Sequence, residues 1–166
     1  MTRLRFIMLA VCVSFVAFSS LQAQSYSSAV GARLGSPLSV SYKMFINDNG
    51  HAVEGIAGFR SYSDYSWINV AAAYQLHNDI ASIDGLYWYY GAGAAAFFWS
   101  FNNDFIGGVD QANLSVGIQG YLGLDFTFPG APVNASIDWV PTFFVGGFGS
   151  GFGAGYGALA VRYILN

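Results

Sequence analysis

Cysteine and charge are what this sequence has least of. A single Cys, Cys12, occurs in a chain of 166 residues, which leaves no internal disulfide and no cysteine-cluster metal site to be made. Charged residues make up 9% of the chain, against about 25% in an ordinary soluble domain. A chain so poor in charge either faces something other than water or hides much of its surface. Basic residues after residue 24 are Arg33, Lys43, Arg60 and Arg162. Cations so scattered form no basic patch, which argues against nucleic acid as a partner. Long apolar runs are missing as well. A membrane-crossing helix needs ~20 consecutive apolar residues. Beyond residue 24 the most apolar stretch, Leu86 to Trp99, is shorter and is interrupted by Gly91 and Gly93. Its Tyr and Trp content reads as strand rather than helix.

What is abundant points elsewhere. Hydrophobic residues reach 54%, aromatics 18%, and there are 21 Gly. That composition is the reverse of disorder, which needs low hydrophobicity and high net charge. The length corresponds to one domain.

The N-terminus has the three-part grammar of a secretory signal peptide. Arg3 and Arg5 form a positive region, Phe6 to Phe18 an apolar one, and Ser19 to Ala23 a region of small and polar residues. Cleavage after Ala23 is expected, giving a signal peptide over 1–23 and a barrel domain over 24–166. Cys12 falls inside the apolar region, so the mature chain carries no thiol.

Downstream the main signal is alternation with period 2, the mark of strands with two unlike faces. Eight strands are expected, at about 27–35, 37–46, 51–60, 65–76, 85–99, 111–127, 133–145 and 152–165. Turn residues separate them, as at Asn47-Asp48-Asn49-Gly50 and Pro129-Gly130-Ala131-Pro132. In the second strand Leu38, Val40, Tyr42, Met44 and Ile46 share one face, opposite Ser39, Ser41, Lys43 and Phe45. In the sixth, Leu114, Val116, Ile118, Leu122 and Leu124 oppose Ser115, Gly117, Gln119, Tyr121 and Asp125.

A soluble barrel with its apolar face inward could alternate the same way. Two features favour the opposite arrangement. The polar faces are rich in Gly, Ala and Ser with few charges, a poor surface for water. The apolar faces hold too much bulk for one small lumen. Apolar side chains toward lipid and small or polar ones inside resolve both points. Strands in lipid must close on themselves, because every backbone polar group there needs a partner. The expected fold is therefore all-β, an eight-stranded antiparallel up-and-down transmembrane β-barrel preceded by a cleavable signal peptide. Eight strands leave a lumen that side chains can fill.

The charges follow the same phase. Arg33, Lys43, Arg60 and Arg162 fall on the inward face of their strands, as do Glu54, Asp125 and Asp138. Inward charges should be paired. The expected network joins Arg162 to Asp138 and Asp125, with Arg33, Lys43 and Glu54 forming another part of it. Its plain reading is an ion-pair plug that holds the barrel together; the sharper one is a proton- or ligand-linked site. Trp88, Tyr90, Phe126, Phe128, Trp139 and Tyr163 are outward by phase and expected as an interface belt near one rim. Phe98 and Phe143 would mark the other. An even strand count puts both termini on the periplasmic side, with the longest outward loop at 100–110.

The segments Gly85-Leu86-Tyr87-Trp88-Tyr89-Tyr90-Gly91-Ala92-Gly93 and Gly120-Tyr121-Leu122-Gly123-Leu124-Asp125-Phe126-Thr127-Phe128 carry a resemblance. So do Ala135-Ser136-Ile137-Asp138-Trp139-Val140-Pro141 and Gly157-Ala158-Leu159-Ala160-Val161-Arg162-Tyr163. Together they resemble the small outer-membrane barrels of the OmpA/OmpX-like superfamily, over nearly all of the chain after residue 24. The resemblance implies an integral outer-membrane protein whose partners are lipid and, during biogenesis, the insertion machinery. It leaves function open, since that superfamily has structural, adhesive and enzymatic members. Barrels of this kind often end on an aromatic residue, whereas this chain ends Tyr163-Ile164-Leu165-Asn166.

Catalytic motifs are hard to find. Some small barrels act on lipid A through a His and a Ser near the rim. Here His51 and His77 are the only histidines. Both sit at connections expected on the periplasmic side, as exposed turn residues. No nucleophile elbow, P-loop or metal-ligand spacing occurs. Asp125 and Asp138 could serve as paired carboxylates, but with Arg162 nearby an ion pair is the simpler reading. The expectation is a non-catalytic barrel with no cofactor, structural or surface-presenting in role. The alternatives are a narrow channel or small-ligand binder, and less readily a lipid-modifying enzyme.

Overall fold

A computed structural model of the chain describes residues 26–47, 49–101, 114–147 and 151–165. Among these residues ten strands form a single antiparallel sheet that closes on itself. They are β1 (Ser28–Ser36), β2 (Leu38–Phe45), β3 (His51–Ser61), β4 (Tyr65–Asp79), β5 (Leu86–Phe101), β6 (Leu114–Thr127), β7 (Val133–Trp139), β8 (Thr142–Gly146), β9 (Gly151–Gly153) and β10 (Gly157–Ile164). Each of β1 to β6 pairs with its sequence neighbour, and β10 pairs back onto β1. β7 and β8 lie end to end along β6, and β9 and β10 continue one another in the same way. The result is an up-and-down barrel of eight staves.

Two staves expected as unbroken strands are thus split. The seventh breaks at Val140 and Pro141, because proline has no N–H to give the ladder. The backbone compensates there: the Val140 amide donates to the Tyr156 carbonyl at 2.9 Å, and the Gly120 amide to that of Pro141 at 2.9 Å. Above the break the pairing of β6 with β8 shifts at Val116 and Gly117, where Val145 is the extra residue of a bulge. The eighth stave breaks opposite, at residues 154–156. β4 is longer than its alternation implied, running through His77 to Asp79.

One end of the barrel holds the start of β1, the end of β10 and three short connections; it is called the terminal end below. Backbone bonds tie it together: the His77 amide to the Gly50 carbonyl, Thr127 to Gly85, Ile164 to Pro132 and Leu165 to Ser28, all within 2.8–2.9 Å. Gly50 and Gly130 turn two of these connections at φ 75° and 78°, values that L side chains resist. At the far end β1 passes into β2 through Pro37, after a cis Ser36–Pro37 peptide. The segment 100–110 lies outside the described residues beyond Phe101, and residues 1–25, with the expected signal peptide, lie outside them too.

The side chains sort sharply by face. On β2, Val40 is 60% exposed while its neighbours Ser39 and Ser41 are 6% and 3% exposed. The same contrast recurs on each long stave: Leu, Val, Ile and aromatic side chains cover the outside, and polar or charged side chains are among the most deeply buried. Small residues make room for large ones within. A Cβ on Gly123 would lie 2.8 Å from the Tyr89 ring, its direct cross-strand neighbour.

Candidate functional site

The terminal half of the lumen is filled by a cluster of buried charges. Arg33, Lys43, Glu54, Asp125, Asp138 and Arg162 all meet there, each less than 9% exposed. Glu54, near the start of β3, is the hub. It accepts from Arg33 Nη1 at 3.2 Å, Arg162 Nη2 at 2.5 Å and Gln75 Nε2 at 2.8 Å, with Lys43 Nζ at 4.0 Å. Arg33 turns its other nitrogen, Nη2, onto both oxygens of Asp138, at 2.9 and 2.8 Å. Lys43 donates to Asp125 at 3.0 Å. Three cations face three carboxylates, so the cluster balances without a further ion.

The pairing differs from the expected one, and register is the reason. Arg162 lies opposite Asn134, while Asp138 lies opposite Ala158. At about 3.3 Å per residue, that offset puts Arg162 roughly 13 Å from the Asp138 position along the stave. Arg162 instead donates to Glu54, Ser41, Asn134 and Ser136. Asp125 is held by Lys43 across the lumen and by Asn134 Nδ2 at 2.5 Å. Arg60, expected within the network, stands apart from it. It is half-buried at the far end of β3, with its guanidinium 4.9 Å over the Tyr62 ring. Six residues separate it from Glu54, about 20 Å of strand.

Two ring side chains complete the cluster. Tyr89, fully buried on β5, donates its hydroxyl to Asp138 at 2.7 Å. One face of its ring stacks on His77 at 4.7 Å, and Lys43 Nζ lies 4.6 Å from its centroid. His77 is the clearest correction: it is no exposed turn residue but a buried member of β4, in register with Tyr89. Its Nε2 lies 3.3 Å from Lys43 Nζ and 3.8 Å from Asp125 Oδ2. His51 is partly exposed and bonded to the Tyr74 hydroxyl. A sequence clue to Tyr89 does exist, in the inward glycine opposite it, Gly123.

The far half of the lumen is mainly aromatic, with Asn69, Ser115 and Thr142 buried among the rings. Ile56, Trp67, Ala71, Phe97, Tyr121, Val140 and Phe144 pack together there, with Tyr65, Trp99 and Tyr156 against them. Trp67 and Phe97 meet at 5.3 Å and Phe97 and Phe144 at 5.0 Å between centroids. Between the two halves lies a small chamber bounded by Arg33, Asn69, Gln119 and Tyr121.

On the outside, the aromatics expected as a belt run from the terminal end inward. Phe126 and Phe128 contact each other at 4.8 Å at the terminal end, and Tyr163 lies near them in sequence register, beside Val133. Trp88 and Tyr90 stack at 5.5 Å a step further in. Trp139, which ends β7 at the proline break, is in register with Tyr90, since both lie opposite Leu122, and its indole N–H donates to the Ala154 carbonyl at 2.8 Å. Phe98 and Phe143 are outward and exposed in the far half.

The charges of the cluster are satisfied within it. Its carboxylates are engaged by guanidinium, ammonium, hydroxyl or amide donors at once. Among the described residues no group of three His, Cys, Asp or Glu side chains is arranged to hold a metal ion. Fold and interior together define a class: a closed eight-stave β-barrel, apolar outside, with its lumen occupied by an ion-pair cluster and an aromatic core. Comparison with family models, with characterised proteins and with solved structures returned no match.

Proposed function

We propose that the chain is an integral outer-membrane barrel of the small OmpA/OmpX-like type, exported by a signal peptide over 1–23, with a structural or surface-presenting role rather than a catalytic one. The observation that carries this reading is the inversion of the two faces. Leu34, Leu38, Val40, Ile68, Val70, Ile118, Ile137 and Val161 are each about half exposed or more, while Lys43, Glu54, Asp125 and Arg162 are wholly buried. Soluble monomers rarely expose contiguous apolar patches above a few hundred Å²; here the apolar surface runs around the staves. Lipid satisfies such a surface, and closure of the sheet satisfies the backbone that lipid cannot.

A plugged lumen favours structure over transport. Side chains occupy both halves, and the charges are compensated in place. Engagement of His77 inside the cluster, and of Asp125 and Asp138 with Lys43 and Arg33, supports a non-catalytic reading. The partners are then membrane lipid and, during assembly, the insertion machinery.

Cell fractionation with gel mobility before and after boiling tests the proposal. The expected result is an outer-membrane pellet and a heat-dependent shift in mobility. A protein that stays in solution without detergent, with no shift, overturns it.

A further inference from the structure

The chamber between the two halves of the lumen is lined by side chains with more free donors than free acceptors. Its volume is about 30 Å³, and Arg33, Ser39, Asn69, Gln119 and Tyr156 are among its lining. Asn69 is 4% exposed; its Oδ1 is wholly covered and rests where Gly58 lacks a Cβ. The carboxamide nitrogen is the other arm of the same group, turned away from Gly58. It has no hydrogen-bond acceptor among the described residues. Yet it is not one of their wholly covered unpartnered atoms, which are Tyr26 Oη, Asn69 Oδ1, Gln75 Oε1 and His77 Nδ1. Asn69 Nδ2 therefore keeps accessible surface, and the space that Asn69 borders is the chamber. Arg33 Nε is in the same position: Nη1 and Nη2 are spent on Glu54 and Asp138, while Nε is neither bonded nor wholly covered. Gln119 Nε2 gives one hydrogen to Thr142 Oγ1 at 3.2 Å and has a second to give.

The matching acceptors are taken or hidden. Gln119 Oε1 accepts from Tyr121 at 2.8 Å, and Asn69 Oδ1 is closed off. What fits is a molecule that brings acceptors. A buried water needs roughly 10–15 Å³ of such space, so the occupant has about two or three heavy atoms.

The barrel wall dips beside the chamber. β1 turns into β2 at Pro37, with Ser36 opposite Gly157 and Leu38 opposite Phe59. β3 runs on to Ser61, and β9 carries its stave beyond Gly157. Ser36, Pro37, Tyr156 and Gly157 line the chamber on this side. Arg60 stands next to the dip, on the inward row of Ile56 and Gly58. Arg33, Lys43 and Arg162 are matched by Glu54, Asp125 and Asp138, whereas Arg60 has no carboxylate within ion-pair reach among the described residues. One positive charge is thus left over at the entrance.

We infer that this chamber is a binding site for a small carboxylate anion of the size of formate, reached over the β1–β2 turn. Its oxygens accept from Asn69 Nδ2, Arg33 Nε and Gln119 Nε2, and its charge answers Arg60. The site lies inside the wall, so it stands whether the outside meets lipid or water.

The isotope-labelled, folded chain is titrated with sodium formate, with formamide as the uncharged counterpart of equal size, and with sodium chloride at matched ionic strength. NMR follows the Asn69 and Gln119 carboxamide protons and the Arg33 Nε–H. Saturable shifts with formate are expected, with several-fold weaker binding in Arg60→Ala. They should be lost in Ala71→Leu, which fills the chamber and leaves every donor in place. If Ala71→Leu does not fold, Arg60→Ala still decides. Formamide binding as tightly as formate, equal shifts with chloride, or affinity unchanged in Arg60→Ala overturns the inference. So does the absence of a saturable shift in the wild-type chain, where long-lived water contacts at Asn69 Nδ2 then identify water as the occupant.

Discussion

Around Tyr89 the lumen is packed with charges; around Phe97, eight residues further along the same strand, it is packed with rings. The two sites are about 26 Å apart along β5 and share one wall. The charged half gets its specificity from valence: Glu54 is right because three cations converge on it. The aromatic half gets its specificity from shape, through tilted and edge contacts near 5 Å. Removing charge should therefore damage one half, and changing shape the other.

The largest effect is expected from Glu54→Gln. The substitution preserves size and an acceptor oxygen but leaves Arg33, Lys43 and Arg162 with too little negative charge. Losing one partner from a buried ion pair costs about 3–5 kcal/mol, read as a fall in the urea midpoint of the folded barrel. A loss below ~1 kcal/mol, the ordinary scale of a single neutral hydrogen bond, would show that the cluster is not held by its charge balance.

Within the charged half a smaller effect is expected from Gly123→Ala. The new Cβ would lie 2.6 Å from the Ile137 carbonyl oxygen and 2.8 Å from the Tyr89 ring. Overpacking of this kind costs about 1–3 kcal/mol. It should also push Tyr89 off Asp138 and His77, which the Tyr89 ring resonances would report. Unchanged resonances with unchanged stability would mean that the opposite glycine is not what seats Tyr89.

In the aromatic half the expected pattern reverses. Phe97→Leu keeps most of the bulk and should cost about 1–2 kcal/mol, well short of the ~3–5 kcal/mol of Phe97→Ala. Equal losses for Leu and Ala would mean that this half also depends on one specific contact rather than on filled volume.

Much of the architecture follows from a period-2 reading, because one face of each strand is apolar and the other polar in nearly every stave. The same rule places Arg33, Lys43, Glu54, Asp125, Asp138 and Arg162 inside. It does not say who meets whom, since partners depend on register between strands, as the Arg162–Asn134 alignment shows. It also sends Tyr89, Phe97 and Tyr121 inward, but it does not say that Phe97 and Tyr121 gather with Trp67 and Phe144 into one aromatic half. His77 escapes for a different reason: whether it is a turn residue or a strand residue depends on where β4 ends, the least certain feature of any strand pattern. Pro141, by contrast, carries its break in its own chemistry, and a proline inside a long strand is itself the signal.

Arg60 gives the smallest expected effect and the sharpest control on the comparison between halves. It shares the inward phase of Glu54 on β3, yet it sits among the rings of the far end, stacked on Tyr62 and partly exposed. A cation over an aromatic face at such a site contributes about 0.5–1 kcal/mol. Arg60→Ala should thus shift the urea midpoint little, whereas Arg33→Ala, an equal change in formal charge, should approach the Glu54→Gln loss. If Arg60→Ala proved as damaging as Arg33→Ala, inward phase alone would decide what a charge is worth in this barrel. A clear gap between them assigns that worth to the partners each cation reaches.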